Sequence, residues 1–195
     1  TSVGVMSFET GTQIAAFTLP SINSGVSTCI RVDPDSGYIF VQYYRNDVSG
    51  RRIVRFDMDG SNPTIFTPPA AGYGYGDFAI DRRAKRIYAA EAGTIDAIRV
   101  YDYDGNLVDT LFDHASDIDP RHLAVDWHAG YAIWEWDSSN AKVYAGPLDK
   151  STPASEIFQT PSTGQFGDAA LDWEAGYFWT ADQGTSDRVT RYEIA

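Results

Sequence analysis

Cysteine, lysine and histidine are scarce in this chain of 195 residues, and each scarcity excludes something. Cys29 is alone, so no intrachain disulfide can form. A single thiol leaves the cellular compartment open. Lys85, Lys142 and Lys150 are the only lysines, and Lys plus Arg total 15 against 27 Asp plus Glu. The formal net charge of −12 removes the basic face that duplex nucleic acid requires, and it disfavours anionic membrane surfaces. No apolar run approaches the ~20 residues that cross a bilayer, so no membrane insertion is expected. No signal-peptide pattern opens the chain; if the protein is exported, its leader has already been removed. Asn62-Pro63-Thr64 is the nearest approach to a glycosylation sequon, and its proline excludes it. There is no Gly-x-Ser-x-Gly elbow and no Gly-x-x-x-x-Gly-Lys phosphate loop. No segment holds a 3.6-residue apolar period over the length of a helix.

What is present is a repeat. Hydrophobic residues make up 43% of the chain and aromatics 14%, a globular composition with material for a core. The stretch Leu123–Trp134, LAVDWHAGYAIW, shows the unit: an apolar run ending in Asp126, a turn carrying Gly130, then an aromatic-rich run. Its copies are anchored at Asp33, Asp81, Asp126 and Asp172, at spacings of 48, 45 and 46 residues. A glycine follows three anchors by four places (Gly37, Gly130, Gly176), and Lys85 takes that place in the second copy. Glycine supplies the positive φ a tight turn needs, and the aspartate can hydrogen-bond the turn's own N–H groups. Recurrence in every copy makes these aspartates turn-fixing rather than catalytic.

Each copy reads as four short strands, rich in Val, Ile, Tyr, Phe and Trp and bounded by Gly, Pro, Asp and Ser. Asp57-Met58-Asp59-Gly60 and Asp102-Tyr103-Asp104-Gly105 read as hairpin turns between third and fourth strands. A period near 45 residues with four strands per repeat predicts an all-β fold, a β-propeller of four-stranded antiparallel blades with about four blades in this chain. A single domain over 1–195 is expected. It has a partial blade at 1–20, blades at 28–67, 77–112 and 121–160, and a partial blade at 168–195. Seventeen strands are one more than a closed four-bladed ring needs. The ring closes by strand exchange with one strand over, belongs to a larger propeller, or is completed by another copy through its open edges.

The repeats resemble the YWTD (LDL-receptor class B) and NHL-type propeller superfamily. Residues 28–66, from CIRVDPDSGYIF through RRIVRFDMDGSNPTIF, carry the resemblance best. Where that family has its tetrapeptide, the copies here read Phe40-Val41-Gln42-Tyr43, Tyr88-Ala89-Ala90-Glu91, Ile133-Trp134-Glu135-Trp136 and Trp179-Thr180-Ala181-Asp182, and only the last keeps the terminal aspartate. The resemblance implies the propeller fold. It does not carry over the receptor-ligand role of YWTD domains. Related propellers include lactonases of the gluconolactonase type with a divalent metal at the axis, which makes an enzyme the main rival expectation.

Four places before each anchor stand Cys29, Asp77, His122 and Asp168. If the first strand of each blade is innermost, these ring one mouth of the central channel. Asp77, His122 and Asp168 would then be the ligands of a divalent metal, Ca or Zn. The plainer reading is that they begin strands and bond to loop backbone. Asp57, Asp59, Asp102 and Asp104 evoke a calcium loop but lack the remaining ligands. Gly72–Gly76 is read as a flexible aromatic loop in which Tyr73 and Tyr75 contact a ligand at the same mouth. The loop holding Asp113, His114, Asp117 and Asp119 adds acidic character nearby. Trp127, Trp134, Trp136, Trp173 and Trp179 are expected to pack between blades, with a sugar platform as the alternative.

The leading functional expectation is a non-catalytic, secreted binding or structural module. It takes a protein or carbohydrate ligand, needs no cofactor, and has terminal blade edges open to assembly into a homo-oligomer. A metal-dependent lactonase or hydrolase and a carbohydrate-binding lectin are the alternatives.

Overall fold

Short apolar runs punctuated by Asp-containing turns fold as strands, and the computed structural model bears this out. It describes residues 2–6, 13–18, 27–45, 50–67, 74–92, 96–114, 120–136, 142–159, 166–182 and 189–194. Seventeen strands and no helix occur among them. β1 (Ser2–Met6) and β2 (Gln13–Thr18) form an antiparallel hairpin. The first full blade is β3 (Ser27–Asp33), β4 (Tyr38–Arg45), β5 (Gly50–Asp57) and β6 (Thr64–Phe66). The second is β7 (Gly74–Asp81), β8 (Arg86–Ala92), β9 (Asp96–Asp102) and β10 (Leu107–His114). The third is β11 (Pro120–Asp126), β12 (Tyr131–Trp136), β13 (Lys142–Pro147) and β14 (Ser155–Gln159). The last is represented by three described strands, β15 (Phe166–Asp172), β16 (Tyr177–Asp182) and β17 (Val189–Glu193). Within each blade, neighbours pair antiparallel in sequence order, as a propeller requires. One parallel pairing, Arg51 with Gly74, joins β5 to β7 and makes the first two blades one hydrogen-bonded sheet.

The anchor aspartates do what their recurrence implied. Asp33 Oδ1 accepts the N–H groups of Asp35 and Ser36, Asp81 those of Arg83 and Ala84, Asp126 those of His128 and Ala129, and Asp172 that of Ala175. Gly37, Gly130 and Gly176 then turn with φ of 74°, 73° and 72°. Lys85 adopts the same left-handed conformation at φ 52°, a strain that glycine avoids.

The core lies between blades. Phe40, Ile53 and Phe66 of the first blade meet Tyr75, Phe78, Ile87, Ala89, Tyr101 and Tyr103 of the second. Ile98, Leu111 and Phe112 of the second meet Leu123 and Trp134 of the third, with Phe112 and Trp134 stacked at 4.5 Å. Ile133, Val143 and Ala145 of the third meet Phe178 of the last, and Trp173 stacks on Tyr131 at 4.0 Å. Burial of each large apolar side chain contributes about 1.5–3 kcal/mol, so these interfaces dominate the stability. Packing between blades was the expected role of the tryptophans, and Trp134 and Trp173 fill it.

Two local expectations need correcting. The later part of the expected Gly72–Gly76 loop is strand: Gly74, Tyr75 and Gly76 belong to β7, and Tyr75 is completely buried. The copies also differ in register at the start of their first strands. Cys29, Asp77 and Asp168 pair with Gln42, Ala90 and Ala181, and the irregularity falls one residue earlier. In the third blade it falls between Arg121 and Leu123, at His122, whose φ is +48°. The bulge therefore takes His122 out of the ladder position its counterparts hold.

Candidate functional site

The start of the first strands is where the sequence placed its candidate residues. Asp77 is almost fully buried. Its Oδ1 accepts the N–H of Phe78 at 2.7 Å, and its Oδ2 accepts the N–H of Leu123 in the next blade at 3.0 Å. The guanidinium of Arg31, from the blade before, lies 3.8 Å from Oδ1 and over the Phe78 ring. One carboxylate thus links three consecutive innermost strands, β3, β7 and β11. The bulge at His122 turns the Leu123 N–H out of its own ladder and toward Asp77, so the two irregular features belong together.

His122 sits beside this junction, with Nε2 at 4.0 Å from Glu135 Oε2 on the neighbouring strand of its own blade. Glu135 is buried. Cys29 is half-buried and packs against the cluster between the first and second blades. Asp168, on β15, pairs with Ala181 of β16. Tyr73 and the loop residues Asp117 and Asp119 lie outside the described residues. Among the described residues, no three His, Cys, Asp or Glu side chains converge as a metal set. What the geometry brings together is Arg31, Asp77 and the Leu123 amide.

A second polar group lies deeper, outside the residues the sequence offered as candidates. Glu91 on β8 is buried, accepts a hydrogen bond from the Tyr101 hydroxyl, and faces Arg99 Nε at 3.3 Å. Burial raises its pKa, and the Tyr101 hydrogen bond and Arg99 offset part of that rise. Tyr75 stands edge-on to Tyr101 at 5.9 Å; burial, with the charge on Glu91 adding to it, holds the Tyr75 hydroxyl well above the ordinary phenol value. Gln42 of the first blade donates its side-chain N–H to the Tyr75 carbonyl at 2.6 Å. Glu91 occupies the last place of the tetrapeptide Tyr88-Ala89-Ala90-Glu91. A carboxylate in that slot was a signal the sequence carried.

A third polar tie joins the first two blades at the opposite end of the strands. Tyr103, in the turn after β9, donates its hydroxyl to Asp33 Oδ2 at 2.9 Å. Arg55 Nη1 donates to the Tyr103 carbonyl and to Asp104 Oδ1, both at 2.7 Å. In the third blade Asp126 Oδ2 accepts the Trp173 N–H at 3.0 Å. Acidic residues recur at the blade boundaries because backbone N–H and hydroxyl groups of the next blade need acceptors once water is excluded.

The backbone arrangement matches known structures. A chain of the nidogen/laminin complex superposes with a TM-score of 0.74 over 96% of this chain and 69% of its own length, at 21% identity. The likeness is one of fold. TolB from Acinetobacter baumannii aligns with a TM-score of 0.62 over 81% of this chain at 16% identity. A structural-genomics protein of unknown function from Bacteroides thetaiotaomicron aligns at 0.57 over 79% at 17% identity. This chain spans 39% and 38% of those two, less than half of either. No protein-family model matches the sequence, and no curated protein matches it. The propeller fold implied by the YWTD and NHL resemblance is the fold present.

Proposed function

We propose that this chain is a non-catalytic binding or structural propeller module that works outside the cell and takes a protein ligand. The observation that supports this reading most is the state of Asp77. Both of its oxygens are engaged by backbone N–H groups, one of them in the next blade, so this buried carboxylate acts as a joint. Asp33 and Asp126 have the same double duty, one oxygen for the local turn and one for the neighbouring blade. The similarity to a chain in a complex between proteins favours a protein ligand over a carbohydrate. The net charge of −12 favours a basic partner surface.

The test is an assay of purified protein against lactones and simple esters with Ca²⁺ or Zn²⁺ added. Turnover at the level of buffer is the expected result. Metal-dependent turnover that Asp77→Asn abolishes would establish the hydrolase instead.

A further inference from the structure

The turn between first and second strands is built alike in the four copies, except in its charge. After the anchor it reads Pro34-Asp35-Ser36-Gly37, Trp127-His128-Ala129-Gly130 and Trp173-Glu174-Ala175-Gly176, with no Arg or Lys. In the second blade it reads Arg82-Arg83-Ala84-Lys85. Arg86 follows, in the ladder position that Tyr38, Tyr131 and Tyr177 hold in the other blades. Four of the chain's 15 basic residues thus stand within five consecutive positions. Arg82, Arg83 and Lys85 are exposed and Arg86 is half-buried. Lys85 keeps a long cationic side chain at a left-handed position that glycine fills elsewhere. The second blade packs on the first through one face and on the third through the other, so this turn caps an interior blade.

These four charges are not neutralised within the chain. Other surface cations are: Lys142 pairs with Glu156 at 2.6 Å and Lys150 with Asp109 at 2.7 Å. Among the described residues no carboxylate lies within ion-pair distance of Arg82, Arg83, Lys85 or Arg86. The two carboxylates that flank the turn are already engaged. Asp81 Oδ1 accepts the N–H groups of Arg83 and Ala84. Asp102, opposite Arg86, accepts the N–H groups of Asp104 and Asn106 and the Asn106 side-chain amide. The surroundings are acidic. Contacts of Tyr103 with Asp33 and of Lys150 with Asp109 place the turns of the first three blades at one end of the strands, where Asp104, Asp109 and Asp149 are exposed. The Arg82–Arg86 turn is a basic island on that end.

We propose that the Arg82–Arg86 turn docks a short acidic segment of a partner protein, whose carboxylates are taken by Arg82, Arg83 and Lys85. The inference rests on the reading of the chain as a binding module and names the chemistry its partner presents. A guanidinium offers a planar fork of donors that matches a carboxylate, and two adjacent arginines suit adjacent carboxylates. The size of the island decides for a short segment. Exposed charges act over about 8–10 Å at physiological salt, so the turn governs only what sits directly on it. A long polyanion, such as a sulfated glycan, would run from the turn onto Asp104 and Asp149 and be repelled there. A folded partner presents its acidic segment and keeps neutral or basic residues around it, which the net charge of −12 then favours.

The test is a titration of the whole chain with a dye-labelled peptide that carries a central run of Asp and Glu, read by fluorescence anisotropy at ~0.1 M salt. The same peptide with Asn and Gln in the run is the reference. Wild-type protein is expected to bind the acidic peptide and not the amide one, and more weakly as salt rises. Arg82→Gln with Arg83→Gln is expected to weaken binding at least ~10-fold. Lys142→Gln with Arg191→Gln removes the same charge elsewhere and is expected to leave the affinity within ~2-fold. Thermal melts confirm that each variant is folded. A wild type that shows no binding up to ~1 mM peptide overturns the proposal. Equal weakening by the two double variants also overturns it, since the net charge and not the turn would then be acting. Tighter binding of a heparin-derived oligosaccharide than of the peptide would make the occupant a glycan. Self-association that the Arg82→Gln, Arg83→Gln variant abolishes would make it a second copy. Each contrary result leaves the module reading standing, because that reading falls only to metal-dependent turnover.

Discussion

The hydroxyl of Tyr103 reaches Asp33, seventy residues earlier in the chain, at 2.9 Å, and both groups are buried. One aspartate thereby holds its own turn through Oδ1 and the next blade through Oδ2. Tyr103→Phe leaves the ring packed and removes only the hydrogen bond to a charged group. A loss of roughly 1.5–3 kcal/mol in unfolding free energy is expected by chemical denaturation. A loss no larger than a surface substitution would show that the tie carries little.

Asp33 also sets a pH dependence. Burial pushes its pKa up, but hydrogen bonds from Tyr103, Ser36 and Asp35 together outweigh burial and hold it below its ordinary value of 3.8. A depressed folded pKa means the contribution is complete above the unfolded value and is lost as pH falls through the folded one. The stability gap between wild type and Asp33→Asn is therefore expected to be constant near neutrality and to narrow below pH 3.8, as read from denaturant melts across the acid range.

Close packing between the second and third blades offers a steric test. A Cβ built on Gly146 of β13 would stand 2.4 Å from the Phe112 ring, too close without a shift. Gly146→Ala is expected to lower stability by about 1–3 kcal/mol, and Phe112→Leu in that background to recover part of the loss. Additive losses in a double-mutant cycle would show that the two positions do not compete for space.

Lys85 is the one described anchor turn without glycine. Lys85→Gly is expected to raise stability by about 0.5–1 kcal/mol, the relief of a left-handed lysine less the greater freedom glycine has when unfolded. A drop in melting temperature would mean that Lys85 makes a contact worth more than its backbone strain.

Much of the fold was legible because its devices are local. The spacing of Asp33, Asp81, Asp126 and Asp172 gave the blade period, and the Asp-Gly turns after β5 and β9 marked the hairpins, since each depends on a few adjacent residues. The site was less legible because it depends on which strands meet. The positions four places before each anchor are equivalent only if every copy starts its first strand alike. His122 breaks that assumption with a bulge that no pattern in LAVDWHAGYAIW reveals. The burial of Tyr75 was hidden by the glycines around it, which read as a loop until Tyr101 and Gln42 are brought against them. Asp77 accepts the N–H of Leu123 from another blade, a contact that no local pattern around Asp77 reveals.

The most direct measurement is thermal unfolding of wild type and Asp77→Asn, each titrated with Ca²⁺ or Zn²⁺ after removal of metal by chelation. An ion bound only by the folded state raises the melting temperature with concentration. If Asp77 is a joint, neither ion shifts the wild-type melting temperature, and Asp77→Asn melts lower by the same interval with or without metal. A wild-type melting temperature that climbs with the ion, and a variant that does not respond, would contradict the structural role and make the ring of first strands a metal site.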